Sequence, residues 1–388
     1  MIDAFFWLVL PVALLEGARI ARFEYKGGER TLAHALAYGA LEFVLLAGCA
    51  ATASPLTFLA FAGGRIGVAR LREGRLWGPG LLKTVLVAAA MILLVGVGDV
   101  DSFAGLAGSA LGDATRHGIL ALVCAACLVA IMPVHVADEQ RETLVAPLAF
   151  IAFARVAIPL GAEEPWFRLV VPVVAAILGL VCALWLMSAG KRANHFEPAA
   201  LVSELLLCER GVVLSFVWLG LAAGAPLAGI GALLQWWSGA LSLLALEASL
   251  RRRPLPRSMA FFALAMAVCL PGTVGFIAED LLAHGLLELR PWLAAAFVGV
   301  TAINATALYL TLVHILADLG EPEDLQPRPS LTMLSAAALS LLIGLLPQSF
   351  VSVATAAHAV IAPRTALVEP VEHERAGAQA PAGPSRAT

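Results

Sequence analysis

Charge is what this sequence has least of. Only 14% of its 388 residues are Asp, Glu, Lys or Arg, against roughly a quarter in a soluble domain. A water-soluble globular fold of this length is therefore excluded. There is no glycine-rich phosphate loop, no second CxxC beside Cys124 and Cys127, and no long basic run. The chain thus offers no seat for a nucleotide, a metal cluster or nucleic acid; no cofactor is expected. Its six cysteines are scattered through apolar stretches and read as small core residues. No basic segment precedes the first apolar run and no small-residue cleavage site follows it, so residues 1–20 read as a retained first helix.

What the sequence has in quantity is apolar length. Hydrophobic residues make up 60% of it, mean hydropathy is +0.88, and stretches long enough to cross a bilayer core recur throughout. Candidate spans are 1–20, 33–62, 80–99, 117–135, 143–160, 166–189, 201–223, 226–249, 257–289, 291–317 and 330–349. The expected fold is all-α, a polytopic membrane helix bundle of about eleven transmembrane helices. The span 33–62 is long and is expected to tilt or overshoot. The span 257–289 is interrupted at Pro271-Gly272, where proline removes a backbone donor; in lipid such a break needs protein or a wet cavity around it. Residues 1–350 form the expected transmembrane domain, and 351–388 a short terminal segment with a disordered tail rich in Ala, Pro and Glu.

Basic residues in alternate connections set the expected orientation. One set holds thirteen, from Arg65 through Arg251–Arg253 to Arg328; the other holds seven, Arg19, Arg22, Lys26, Arg30, Arg116, Arg168 and Arg290. The richer set is expected to face the cytoplasm. With eleven spans the N-terminus then lies inside and the C-terminus outside, in a bacterial inner (cytoplasmic) membrane.

Ionisable residues within apolar spans cost roughly 2.5–3.5 kcal/mol each on insertion scales, which makes them the functional candidates. Glu42, Arg155, Glu209, Arg210, Glu279 and Asp280 fall near mid-membrane; Glu16, Glu204, Glu247, His135, His284 and His314 fall nearer span ends. Glu209 and Arg210 are adjacent and point about 100° apart, so each needs a partner elsewhere. His135, after Met132-Pro133-Val134, either relays protons near neutral pH or caps its helix. Deep carboxylates and cations on separate helices, with one broken helix, are what a proton or cation path requires: moving a cation past a buried carboxylate loads and releases its proton.

The segment Leu270-Pro271-Gly272-Thr273-Val274-Gly275-Phe276-Ile277-Ala278-Glu279 closely resembles a signature of the antiporter-like membrane subunits. These are the proton-pumping subunits of respiratory complex I and the large subunits of multisubunit sodium/proton antiporters. Met132-Pro133-Val134-His135 with Ala137-Asp138, and Leu341 to Gln348, are similar to two further family segments, in the family's order. The resemblance implies a shortened member, the last eleven of about fourteen helices. It places Glu42 at the family's first glutamate, Arg155 near its central lysine and Glu279 at its terminal broken-helix carboxylate. At the position of the lysine that partners the first glutamate stands Leu128.

Three functions stay open from the sequence. The first is a proton-translocating membrane subunit of a larger energy-coupling complex, moving protons or sodium with other membrane subunits as partners. Its relay would be Glu42, Arg155, Glu279 and Asp280, with His135 as an inner connector. The second is a degenerate structural subunit that docks its neighbours. The third is a proton-coupled subunit of inorganic-carbon uptake beside a soluble zinc-containing partner. None gives the chain catalytic chemistry of its own.

Overall fold

The computed structural model describes residues 3–26, 31–73, 79–98, 100–109, 111–132, 145–191, 198–251, 257–318 and 331–362; His135 and the tail beyond 362 lie outside them. Among the described residues there are helices and turns and no strand. Among the described residues seven helices are long and apolar enough to cross a membrane, and the bent pair Leu331–Leu345 and Pro347–Ile361 passes the same test taken together. Shorter apolar helices complete the bundle.

The first finding departs from the sequence reading. Residues 33–62 are not one tilted helix. They divide into α2 (Leu32–Ala51) and α3 (Pro55–Glu73), an antiparallel hairpin. A Cβ on Gly48 would meet the Phe61 ring, and one on Gly64 would meet Leu45, so contacts step in opposite directions from the turn. The turn is local chemistry. Thr52 closes α2 through its backbone N–H on Gly48, Ser54 Oγ accepts from Leu56 N, and Pro55 takes the first helical position, where its missing N–H costs nothing. The turn carries no charge, which is why the apolar run reads as unbroken.

α1 (Ala4–Lys26) packs antiparallel on α2. Their backbones meet at Gly17 and Gly39, where an added Cβ would lie 2.4–2.6 Å from the facing carbonyl. Next come α4 (Pro79–Gly96), a 3₁₀ turn at Phe103–Gly108 and α5 (Asp113–Ile131). α6 (Pro147–Ala152) then passes through a π-helical turn, Phe153–Ala157, into α7 (Ile158–Gly161). α8 (Pro165–Lys191), α9 (Pro198–Ala223) and α10 (Pro226–Leu250) follow. α9 and α10 are almost wholly enclosed and form the bundle's axis. The Pro271-Gly272 break is as expected. α11 (Arg257–Ala267) ends before it and α12 (Val274–Leu289) begins after it, with Cys269 at φ 54° and Gly272 at φ 94° in the turn between. α13 (Pro291–Asp318), α14 (Leu331–Leu345) and α15 (Pro347–Ile361) complete the chain. α14 and α15 meet at 86°, and α15 packs on α1 and α10, so packed helix continues past residue 350.

Two opposite faces follow from the contacts. On one, Phe103 N donates to Ala53 O of the hairpin turn, Arg116 meets Glu164, and Arg290 donates to Arg168 O. On the other, Arg22 donates to Thr332 and Arg19 meets Glu247 at the end of α10. Between them the outward sides of α1, α8 and α13 expose Trp7, Leu14, Ile177, Leu184 and Val298, an apolar surface no water-soluble monomer carries on this scale.

Candidate functional site

Three polar groups interrupt the apolar interior. In the first, Glu42 on α2 is buried at 5% exposure, and the Arg65 guanidinium on α3 donates to it at 2.5 Å. Both residues lie about ten positions from the hairpin turn, so the antiparallel pairing brings them face to face. Read from sequence, Arg65 is a loop residue; the hairpin makes it the cation beside Glu42. Glu16, brought near by the Gly17–Gly39 crossing, is a further electrostatic neighbour of Arg65. Arg19 lies 3.9 Å from Glu16 and grips Glu247 through Nε and Nη2 at 2.7 and 3.2 Å. Arg251 adds a contact at 3.5 Å. The charges alternate in sign from mid-bundle to one face, so each is compensated.

The second group centres on Arg155 in the π-helical turn. A π turn inserts one residue into the helical ladder and re-aims side chains. Here it points the guanidinium to the opposite face, where Nη1 and Nη2 engage both Asp3 oxygens at 2.8 and 3.0 Å. Nη2 also donates to Ala50 O at 2.7 Å, and the group stacks over Phe5. Arg155 is thus a paired cation anchored to α1 and α2.

The third group lies at the helix break. Glu209 on α9 accepts from Asn304 Nδ2 of α13 at 2.8 Å, which supplies the partner on another helix that its position requires. Glu279 on α12 is its electrostatic neighbour. The Cys269 thiol, held inward by its left-handed backbone, lies against Glu279 and the Gln235 amide of α10. Ser238 reaches the same spot, since a Cβ on Gly275 would meet both its hydroxyl and the Cys269 sulfur. Among the described residues no basic side chain pairs with Glu209 or Glu279. Asp280, expected beside Glu279 in a relay, points outward instead; it is 55% exposed and pairs with His284 one turn on at 3.3 Å.

A small apolar cavity is lined by Cys127, Ile131, Phe150, Phe153, Leu214 and Trp218, with Leu128 packed against the same core. Asn304, Gln235 and Arg65 are the residues that sequence reading missed. Neutral amides carry no charge to flag them, and Arg65 lay beyond an unseen turn.

No protein-family model and no characterised protein sequence matches the chain. Its fold is that of membrane subunits in solved respiratory and related complexes. One chain of the Mrp complex from Dietzia sp. DQ12-45-1b superposes with TM-score 0.68 and 18% identity, over 94% of this chain and 85% of that one. One chain of respiratory complex I from Thermus thermophilus gives 0.67 and 20%, over 94% and 84%. One chain of the membrane-bound sulfane sulfur reductase, an archaeal respiratory membrane complex, gives 0.61 and 14%, over 86% and 78%.

Proposed function

We propose that the chain is a proton-translocating membrane subunit of a larger energy-coupling complex, with other membrane subunits as its partners. The observation that carries this is Glu209 and Glu279. Glu209, buried, and Glu279, half-buried, are neighbours at a broken helix with no basic partner among the described residues, on a fold found in membrane subunits of respiratory complexes. Like charges placed together away from water cannot both stay ionised without a counter-cation, so the pair takes up and gives up a cation as its surroundings change. Glu42 with Arg65 and the row Glu16–Arg19–Glu247 supply a compensated route from one face. Arg155 acts as a fixed positive charge, because guanidinium does not deprotonate in proteins.

The hairpin also revises the orientation. It adds one crossing, so both termini fall on one face. The four basic residues from Arg19 to Arg30 join the richer set and Arg65 leaves it, giving sixteen against three, Arg116, Arg168 and Arg290. A sharper asymmetry favours the richer face as cytoplasmic, with both termini outside. An N-terminal tag accessible only after permeabilising the cell from the cytoplasmic side would reverse this.

The functional test is proton uptake by proteoliposomes holding the purified native complex. Glu279→Gln is expected to abolish uptake with assembly intact; unchanged uptake overturns the assignment. A second reading, a non-conducting docking subunit, is favoured by the apolar lining of the cavity beside Phe153 and Leu214 and by Leu128 in the core. It predicts no uptake even from the unsubstituted complex.

A further inference from the structure

α12 turns ionisable side chains the wrong way for a helix bounded by lipid. Its inner side is fixed by α10. A Cβ on Gly231 would meet Leu282 N and Ala278 O, and one on Gly275 would meet the Ser238 hydroxyl. Asp280 therefore lies alongside α10 between Gly231 and Ser238, well inside the span Pro226–Leu250, while Arg290 at the end of α12 marks the face. Yet Asp280 and His284 are 55% and 64% exposed. Phe276 and Leu287, one turn to either side on the same stripe, are exposed as well. Glu288 follows at the end nearest the face, also exposed.

Intramembrane carboxylates and imidazoles almost always face protein or a water-filled cavity, because hydrocarbon solvates neither. Hydrogen bonding narrows what fits against this pair. His284 Nδ1 lies 2.9 Å from Asp280 O and 3.3 Å from Asp280 Oδ1. A carbonyl and a carboxylate only accept, so Nδ1 carries the proton and donates. What is left for an outside partner is the second Asp280 oxygen and His284 Nε2, an acceptor in the neutral ring, with the Glu288 carboxylate one turn on. The face thus offers acceptors and negative charge set in an apolar stripe. A lipid tail matches the stripe and not the charge. A second copy meeting the same face about a two-fold axis would bring carboxylate against carboxylate. A basic side chain on a different transmembrane helix matches both stripe and charge.

We infer that the outer face of α12, from Phe276 to Glu288, is a docking surface for a transmembrane helix of another membrane subunit, one that places a Lys or Arg against Asp280 and His284. This rests on the reading that the chain works inside a larger membrane complex, and it says which side of the chain a neighbour occupies. The test is photo-crosslinking in cells, with benzoylphenylalanine in place of Leu287 and, for comparison, of Ile177 on the outward side of α8. The complex is then purified and the crosslinked peptides sequenced by mass spectrometry. From position 287 the expected product joins α12 to a transmembrane segment of a different chain that carries Lys or Arg. Products only with lipid, with a second copy of this chain, or with a segment lacking a basic residue overturn the docking surface. Crosslinks to another subunit from 177 but not from 287 overturn it too, and keep the chain a subunit; a chain that purifies alone without crosslinks overturns both. Asp280→Lys is expected to lower recovery of the crosslinked partner with the complex by about tenfold or more, and changing the partner's basic residue to Asp is expected to restore it. Undiminished recovery in Asp280→Lys overturns the ion pair. Glu279→Gln, which tests proton translocation, is expected to leave the crosslink intact, so the two readings fail separately.

Discussion

Nε of Arg65 lies 2.5 Å from Oε1 of Glu42, and the two residues stand on opposite arms of one hairpin at the same depth. Neither charge belongs in the bilayer by itself. Arg65→Met, which strands the carboxylate, is expected to destabilise the protein by about 3–5 kcal/mol. The double variant Glu42→Met with Arg65→Met is expected to recover most of that loss while failing to restore proton uptake. A double-mutant cycle of unfolding measurements checks the first part. Additive single losses would show that the two side chains are not coupled.

Where α1 crosses α2, glycine is required by space alone. A Cβ on Gly39 would lie 2.4 Å from Gly17 O and 2.7 Å from the Ala21 methyl, and both neighbours are helix backbone or fixed to it. Gly39→Val is expected to cost about 1–3 kcal/mol and to move Glu16 away from Arg65. Gly63→Ala, with open space at the Cβ position inside α3, is the control expected to keep or slightly raise stability.

Asp3 holds Arg155 with two charge-assisted hydrogen bonds. Asp3→Ala is expected to lower stability by about 1.5–3 kcal/mol, since it leaves a buried guanidinium with Ala50 O as its named acceptor. Arg155→Lys is expected to be similarly unstable although it keeps the charge, because a single ammonium cannot reproduce the fork. Thermal unfolding of both variants decides. Wild-type stability in Arg155→Lys would mean that charge alone matters there.

At the face bearing Arg116, a hydrogen bond from that guanidinium, with His117 beside it, holds the Glu164 carboxyl below its ordinary range. A depressed folded-state value stabilises the protein above the unfolded carboxylate range, and that contribution fades as pH falls through the depressed value. Glu164→Gln is therefore expected to flatten the acid limb of the stability–pH profile and leave the neutral limb in place. An unchanged acid limb would place its cause in other carboxylates.

Much of this architecture was legible because lipid imposes simple rules. Apolar length marked the crossings, and Pro271-Gly272 marked the break. The insertion cost of charge singled out Glu42, Arg155, Glu209 and Glu279, all of which the structure places in the interior polar groups. The failures share a cause as well. A tight turn built from Thr52, Ala53, Ser54 and Pro55 carries no charge to mark it, yet two signals were present. Ser54-Pro55 is a helix start, and thirty residues of helix exceed a bilayer by about half its thickness. Missing that turn left Arg65 among the loop residues rather than opposite Glu42. Asn304 and Gln235 gave no signal, since a neutral amide in an apolar helix is ordinary until its neighbours are known. Asp280 misled in the opposite way, because sequence adjacency to Glu279 places it about 100° around the helix, on the outer surface.

The α2–α3 hairpin has a consequence for how the protein is made. Its two arms each carry one charge that the bilayer would resist, and only the short neutral turn separates them. Released one after the other, each arm would meet the insertion machinery as a poor segment. Entering together, with Glu42 and Arg65 already neutralising one another, they form a single acceptable unit. For residues 32–73 the hairpin, not the individual helix, is therefore the expected unit of insertion, and lengthening its turn would separate the two halves during synthesis before it disturbed the finished fold.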